Sequence, residues 1–428
     1  MRRPGSAEDF SIDEGLLKVS SSLFLDCAWS HIRRTEETEG STGIRKVVTC
    51  LFHRGRLDSP VLPTACDDLL KEDLVSKNTS APLPAPYEQI FAITLGFWQS
   101  RALAVAAELE LAEVLAEGPL HVDVLASRTN THSPTLFRLL RALEASGVFS
   151  QVSPFVFANT PVSNCLRRDV PNSQWAWVRT QLSVDGGVYK GWSGLDVSLQ
   201  TGKTAFDQVL GCTFWEFYRR NPKAGVIFNE AMRLIGKHNS PEVAKAYDWS
   251  RFPVIADIGG GIGGLLVDIL DAYPSSRGIL FDEPKVVQQA ISHERLKHIG
   301  GDFFQGVPVG ADAYILRWII HDWPETKAVA LLGKVREAMK PGARLILLEE
   351  LIPETSEFVD GKWIDLLMLA ITGGRERTEK EYRELLSAAG FRLEEVVPTA
   401  GPLSMLIAEE VRVAHIDMCD EQSTSSAV

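Results

Sequence analysis

The turn VIADIGGGIGGLL constrains this 428-residue chain more than any other stretch. An apolar strand closing on Asp257 and Ile258 runs into Gly259, Gly260, Gly261, Gly263 and Gly264, and a helical apolar pattern follows at once. Glycines let the backbone turn sharply and approach a ligand without Cβ collisions, and the helix N-terminus behind them offers free N–H groups. Strand, turn and helix then alternate from Phe252 to about Glu410, through GILF, ADAYILRWI and RLILLEEL. That alternation predicts a parallel sheet with helices on both faces.

Five stretches are expected along the chain. Residues 1–84 end in the Pro-rich SAPLPAP and read as a poorly ordered extension. Residues 85–170 read as a long helix, two shorter helices and a hairpin, the winged-helix order, with Ser133 as N-cap and Pro134 in the first turn of TLFRLLRALEASG. Residues 171–250 are Trp-rich and helical, 251–410 carry the sheet, and 411–428 form a polar tail.

Charge and cysteine spacing remove several functions. A net charge of -12 lacks the broad basic field that holds proteins on nucleic acid or anionic membranes. Arg138 and Arg141, on the helix that would read DNA, sit among Leu136, Leu139, Leu140 and Leu143 and read as the wet edge of a packing helix. A ligand-sensing regulator built on that winged helix is the lesser alternative. Six scattered cysteines without a CxxC pair imply reduced thiols and no metal site. No leader pattern opens the chain and no apolar run of roughly 18 residues is apparent, so a cytoplasmic, membrane-free protein is expected.

Gly259, Gly261 and Gly264 match GxGxxG, so a nicotinamide-dependent dehydrogenase stays open. Asp257 before the glycines favours S-adenosylmethionine instead, because a carboxylate repels a pyrophosphate and attracts a cationic amino-acid end. Asp282, about 20 residues beyond the loop, is placed to hold ribose hydroxyls. In GGDFF, Asp302 could meet an adenine amino group and Phe303 its ring face.

After ADAYILRWII come His321, Asp322, Trp323, Pro324 and Glu325. Asp322, Pro324 and Glu325 read as a helix start, which leaves His321 unexplained at the carboxyl end of a parallel strand. A neutral imidazole there could take a proton from a hydroxyl. Glu349 and Glu376 are candidates to accept its second N–H and fix the tautomer.

In this order ADIGGGIGG, LFDEP, GGDFF, LRWIIHDWPE, LLEELIP and TGGRERTEKEY resemble the caffeic acid and acetylserotonin O-methyltransferase family over roughly residues 86–410. The resemblance implies a Rossmann-like α/β sheet behind a helical winged-helix dimerisation domain, and an intertwined homodimer. It also implies methyl transfer from S-adenosylmethionine to a hydroxyl of an aromatic or polyketide-like small molecule. His321 matches the family's general base, and Glu349 and Glu376 match its flanking acids. Gly259, Gly260, Gly261, Gly263, Asp282, Asp302, Phe303 and Arg317 match cofactor positions, and Trp215, Met232, Trp318 and Met368 match an aromatic acceptor pocket. Glu283 stands where the family usually has an apolar residue, and Arg317 where a lysine is common. Relatives of this kind with pericyclic, decarboxylating or hydroxylating chemistry are the alternative, against which the His321, Glu349 and Glu376 trio argues.

Overall fold

The computed structural model describes residues 85–357 and 359–411; the N-terminal extension and the tail beyond residue 411 lie outside them. Helix α1 (Pro86–Glu108) comes first. It is long and apolar enough to cross a membrane by length and composition, which corrects the expectation that no such run exists. Its C-terminal half buries Ala104, Ala106 and Ala107, whereas Tyr87, Ile90, Phe91, Ile93, Phe97 and Trp98 stand exposed in the single chain.

Helices α2 (Val122–Thr129) and α3 (Ser133–Ala145) precede the hairpin β2 (Phe149–Ser153) and β3 (Val156–Asn159), and a two-residue strand β1 (Leu120–His121) completes a sheet ordered β1-β3-β2. Leu136, Leu140 and Leu143 point inward at helical spacing, while Arg138 and Arg141 are exposed. Ser133 does not cap α3: it is the first helical residue, behind His132, and its hydroxyl donates to the Asp123 carboxylate of α2. A nearby carboxylate has outcompeted the backbone N–H groups for that hydroxyl.

Helix α4 (Trp175–Leu182), helix α5 (Phe214–Arg220) and the 25-residue α6 (Pro222–Ala246) bridge to the second domain. Packing on both α4 and α7 (Gly264–Ala272), α6 ties the helical domain to the sheet. That sheet holds β4 (Val254–Ile258), β5 (Arg277–Asp282), β6 (Leu296–Gly300), β7 (Ala313–Arg317), β8 (Arg344–Glu350), β9 (Phe391–Pro398) and β10 (Leu403–Glu410), in the order β6-β5-β4-β7-β8-β10-β9. Strands β4 to β8 are parallel, as the alternation predicts, but β10 runs antiparallel to β8 and β9. The link from β9 to β10 is a short turn with no crossover helix, which forces the reversal.

Both faces are buried. Ala256, Ile258, Leu316, Leu345 and Leu347 face α8 (Glu325–Ala338) and α10 (Glu379–Ala388), and Ile255, Ile315, Ile346 and Leu348 face α7. Strand order reverses between β4 and β7, so their carboxyl ends open a crevice, the usual ligand position in such sheets.

Candidate active site

Above that crevice lies one cavity of about 2210 Å³, shared by the sheet ends, α4, α5, α6 and α9 (Gly361–Ile371). Gly259, Gly260, Gly261, Asp282, Asp302, Phe303 and Arg317 line one end. A Cβ on Gly260 would stand 2.5 Å from Asp257 Oδ2, so the loop lies directly on that carboxylate. Asp257 is therefore under the loop and outside the cavity wall, with Oδ1 unpartnered, instead of facing a ligand's cationic end as its position in the sequence suggests. Burial, helped by Asp282 and opposed by Arg317, pushes its carboxyl up to about 6. Gly263 is also absent from the wall, serving as the N-cap of α7. Asp268, one turn into α7, lines the cavity and carries no motif that would have announced it.

Asp282 Oδ2 accepts the Gly261 N–H at 2.8 Å and Oδ1 the Glu283 N–H at 2.7 Å. Burial pushes this carboxyl to about 6 against those two bonds. Arg317 donates from Nη1 to Ser240 Oγ of α6 at 2.8 Å. Asp302 Oδ1 accepts the Phe304 N–H at 2.9 Å, which aims the following aromatics. Glu283 meets Arg219 of α5 at 3.0 Å, a bond from the helical region to the sheet that no sequence pattern indicated.

The turn after β7 carries the histidine. Trp318 takes the left-handed φ of 53°, a conformation costing about 1–2 kcal/mol, and its N–H reaches Leu348 O at 3.1 Å. A 3₁₀ turn, Ile320–Asp322, follows. His321 Nδ1 lies 2.5 Å from Glu376 Oε1 and 4.0 Å from Glu349 Oε2, and Nε2 lies 3.8 Å from Asp322 Oδ1. Thus the structure brings together the three residues that sequence could only nominate. Asp322 is not the helix cap that its spacing to Glu325 suggests: it is buried beside the imidazole, and Pro324 precedes α8 without a side-chain cap. The intervening 3₁₀ turn uses the residues a capping box would need.

Glu349 stands behind the cavity wall and accepts the Ile320 N–H at 2.9 Å; Glu376 is in the wall, its own N–H held by Asp365 at 2.9 Å. The loop to Glu376 passes so close that a Cβ on Gly374 would lie 1.9 Å from His321 O, the carbonyl that accepts Arg375 N–H at 2.8 Å. Burial alone would push the imidazole down; Asp322, Glu376 and Glu349 reverse this and raise it to about 10. Desolvation drives Glu349 up to about 8 and Asp322 to about 7, despite the pull of His321. One nitrogen and two carboxylate oxygens of His321, Glu349 and Glu376 lie within 4.8 Å of one another, but Nδ1 is already engaged by Glu376.

Trp215, Met232, Trp318 and Met368 all line the cavity. Trp323, missed from sequence, stacks on Trp215 at 6.1 Å and 26° and edges against Phe303 at 6.0 Å. Its place beside Pro324 made it look like part of the helix start.

The chain matches the O-methyltransferase domain over residues 192–392 and the O-methyltransferase dimerisation domain over residues 91–169. It is 37% identical to a phenazine O-methyltransferase of Lysobacter antibioticus across 79% of this chain and 100% of that protein. The structure of human N-acetylserotonin methyltransferase in complex with S-adenosylmethionine superposes with a TM-score of 0.70 at 28% identity, covering 77% of this chain and 99% of that one. An O-methyltransferase from neocarzinostatin biosynthesis, bound to S-adenosylmethionine and 2-hydroxy-5-methyl naphthoic acid, gives 0.65 at 29%, over 73% and 95% of the two chains. Sheet and helical domain thus have counterparts in one set of proteins, and the chain belongs to the S-adenosylmethionine-dependent small-molecule O-methyltransferases.

Proposed function

We propose that the chain methylates a phenolic or enolic hydroxyl of a planar aromatic or polyketide-like molecule, with His321 as the base. The single observation carrying this reading is the buried imidazole bonded through Nδ1 to Glu376 in the wall of the cavity.

The glycine end suits a cation-bearing cofactor. Asp268, Asp282 and Asp302 line it, carboxylates that attract a cationic group, while Glu283 is paired with Arg219. Asp282 would hold the ribose hydroxyls, Asp302 and Phe303 the adenine, and Arg317 the amino-acid carboxylate. Asp257 acts from below by seating the loop. When bound, S-adenosylmethionine supplies a methyl group that its sulfonium already makes electrophilic.

What the chain must add is orientation and proton removal. Trp215, Met232, Trp318 and Met368 would pack the acceptor ring, so that its hydroxyl oxygen points along the line of attack. Glu376 on Nδ1 fixes the tautomer and leaves Nε2 to receive the hydroxyl proton as the oxygen attacks. Glu349 and Asp322 stabilise the imidazolium that results. The phenazine and naphthoic acid of the relatives' names support a flat, fused-ring acceptor for this pocket as well.

A homodimer follows from the same reading: the exposed apolar half of α1 lies largely within the matched dimerisation domain and would be covered by a second chain. That cover removes the case for a membrane span, and we place the enzyme in the cytoplasm.

The test is a screen of hydroxyphenazines and hydroxynaphthoic acids for S-adenosylhomocysteine release, with the methylated position read by mass spectrometry and NMR. Product formed without S-adenosylhomocysteine would instead favour the non-methylating alternatives.

A further inference from the structure

Arg377 is 1% exposed, and no part of the reaction described above uses it. Its guanidinium lies behind the catalytic turn. Nη1 donates to the carbonyls of Ile320 at 3.4 Å and Arg375 at 3.2 Å; Nη2 donates to Trp323 O at 3.4 Å and Glu325 Oε2 at 3.3 Å. Ile320 and Trp323 flank the turn that carries His321, and Arg375 precedes Glu376. On the backbone side, Arg377 bridges to Leu351 and accepts the Ile352 N–H at 3.1 Å, just beyond Glu349. One residue therefore joins the three segments that bring His321, Glu349 and Glu376 together.

Stability is a poor account of a charge in this place. Taking a guanidinium out of water is costly, and an apolar side chain of similar volume often fills such a place with more stability. Among the described residues the one carboxylate it meets, Glu325, is 55% exposed, and Nε has no hydrogen-bond partner. Arginine's rigid fork is suited to another task, fixing several acceptors at once in a set geometry. Here two of the four acceptors are the carbonyls that open and follow a short turn, Ile320 and Trp323, behind a left-handed residue, Trp318. Such a turn holds its shape only while its surroundings over-determine it.

We propose that Arg377 is a positioning residue: its fork clamps the Ile320–Trp323 turn against the segment of Glu376, and so keeps His321 Nδ1 on the Glu376 carboxylate. This rests on His321 being the base, a premise with its own readout below.

The experiment uses the full chain labelled with ¹⁵N-histidine, the His321 resonance being assigned by its loss in His321→Ala. Arg377→Met is expected to move the His321 titration down toward an ordinary histidine by at least a full pH unit, with S-adenosylhomocysteine affinity within about threefold of the parent. Arg377→Lys, which keeps the charge but not the fork, should fall between the two. A folded Arg377→Met with the parent titration overturns the proposal. So does an unfolded one accompanied by an unchanged titration in Arg377→Lys, since a purely structural arginine would behave that way. The premise fails separately, if His321→Ala keeps turnover on a phenol from the screen above.

Discussion

His321 Nδ1 and Glu376 Oε1 are 2.5 Å apart across 55 residues of sequence. Such a contact fixes which imidazole nitrogen is free for chemistry and stabilises the cation formed when it takes a proton. A general base typically adds about 10²- to 10⁴-fold, so His321→Ala should lower turnover by that factor. Calorimetry with S-adenosylhomocysteine should find binding unchanged, because the imidazole's partners are Glu376, Glu349 and Asp322 and none of the residues assigned to the cofactor. Full turnover in the variant would remove His321 from the mechanism.

The pH profile follows from the acids around that base. With its carboxylate neighbours, the imidazole is held up at about 10 and must lose a proton before Nε2 can accept one. Turnover should therefore climb with pH through neutrality and beyond, instead of levelling off above the usual histidine range. Glu349→Gln takes away one of the groups that raise it, so the half-maximal pH should move down. A profile unchanged by that substitution would mean that Glu349 does not act on His321 electrostatically.

Much of this arrangement was legible in advance, and the reasons differ by residue. The glycine turn, Asp282 and His321 sit at strand ends, where local pattern and ligand position coincide. Asp322 was misread because its spacing to Glu325 imitates a helix start, while burial and the 3₁₀ turn give it another task. Asp257 kept its place but lost its exposure, since whether a strand-end carboxylate faces a loop or a cavity depends on the path of the glycines above it. Trp318 is nominated for the pocket but not for its left-handed turn, and Arg377 and Gly374 carry no signal beyond the motif that contains them: what each does depends on contacts with backbone distant in sequence or on an unusual φ.

Asp257 gives a stability prediction with a definite sign. Its carboxyl is raised from 3.8 to about 6 by burial, so the folded chain holds a proton that the unfolded chain has released. Its stabilising contribution is complete below about pH 4 and is lost as pH rises through about 6. Asp257→Asn keeps the shape without the charge. The ligand-free variant should thus melt higher than the parent at pH 7, and the difference should shrink by pH 4. A lower melting point at pH 7 would show that the carboxylate's attraction to Arg317 outweighs its desolvation.

Gly374 has no space for a methyl group, because the added carbon would fall 1.9 Å from the His321 carbonyl. Overpacking of this kind costs about 1–3 kcal/mol when the neighbours can shift. The neighbour here is backbone, tied by the Arg375 N–H, so the catalytic turn itself must move. Gly374→Ala should lower both the melting temperature and turnover. Equal activity with a lowered melting temperature would show that the turn relaxes without disturbing the imidazole.

The exposed half of α1 decides the assembly. Ile90 is 66% exposed and Ile93 72%, beside the exposed Phe91 and Phe97, in a helix whose other half is buried in its own domain. Burying apolar surface yields about 25 cal/mol per Å², so a second chain over these side chains is strongly favoured, whereas two buried carboxylates there would each cost several kcal/mol. Ile90→Glu with Ile93→Glu should turn a dimer into a monomer in sedimentation at micromolar concentration. The isolated monomer should still bind S-adenosylhomocysteine, since the residues assigned to the cofactor, the glycines with Asp282, Asp302, Phe303 and Arg317, all lie in the sheet domain of one chain. A parent chain that sediments as a monomer would refute the dimer, and the apolar half of α1 would then need a different cover.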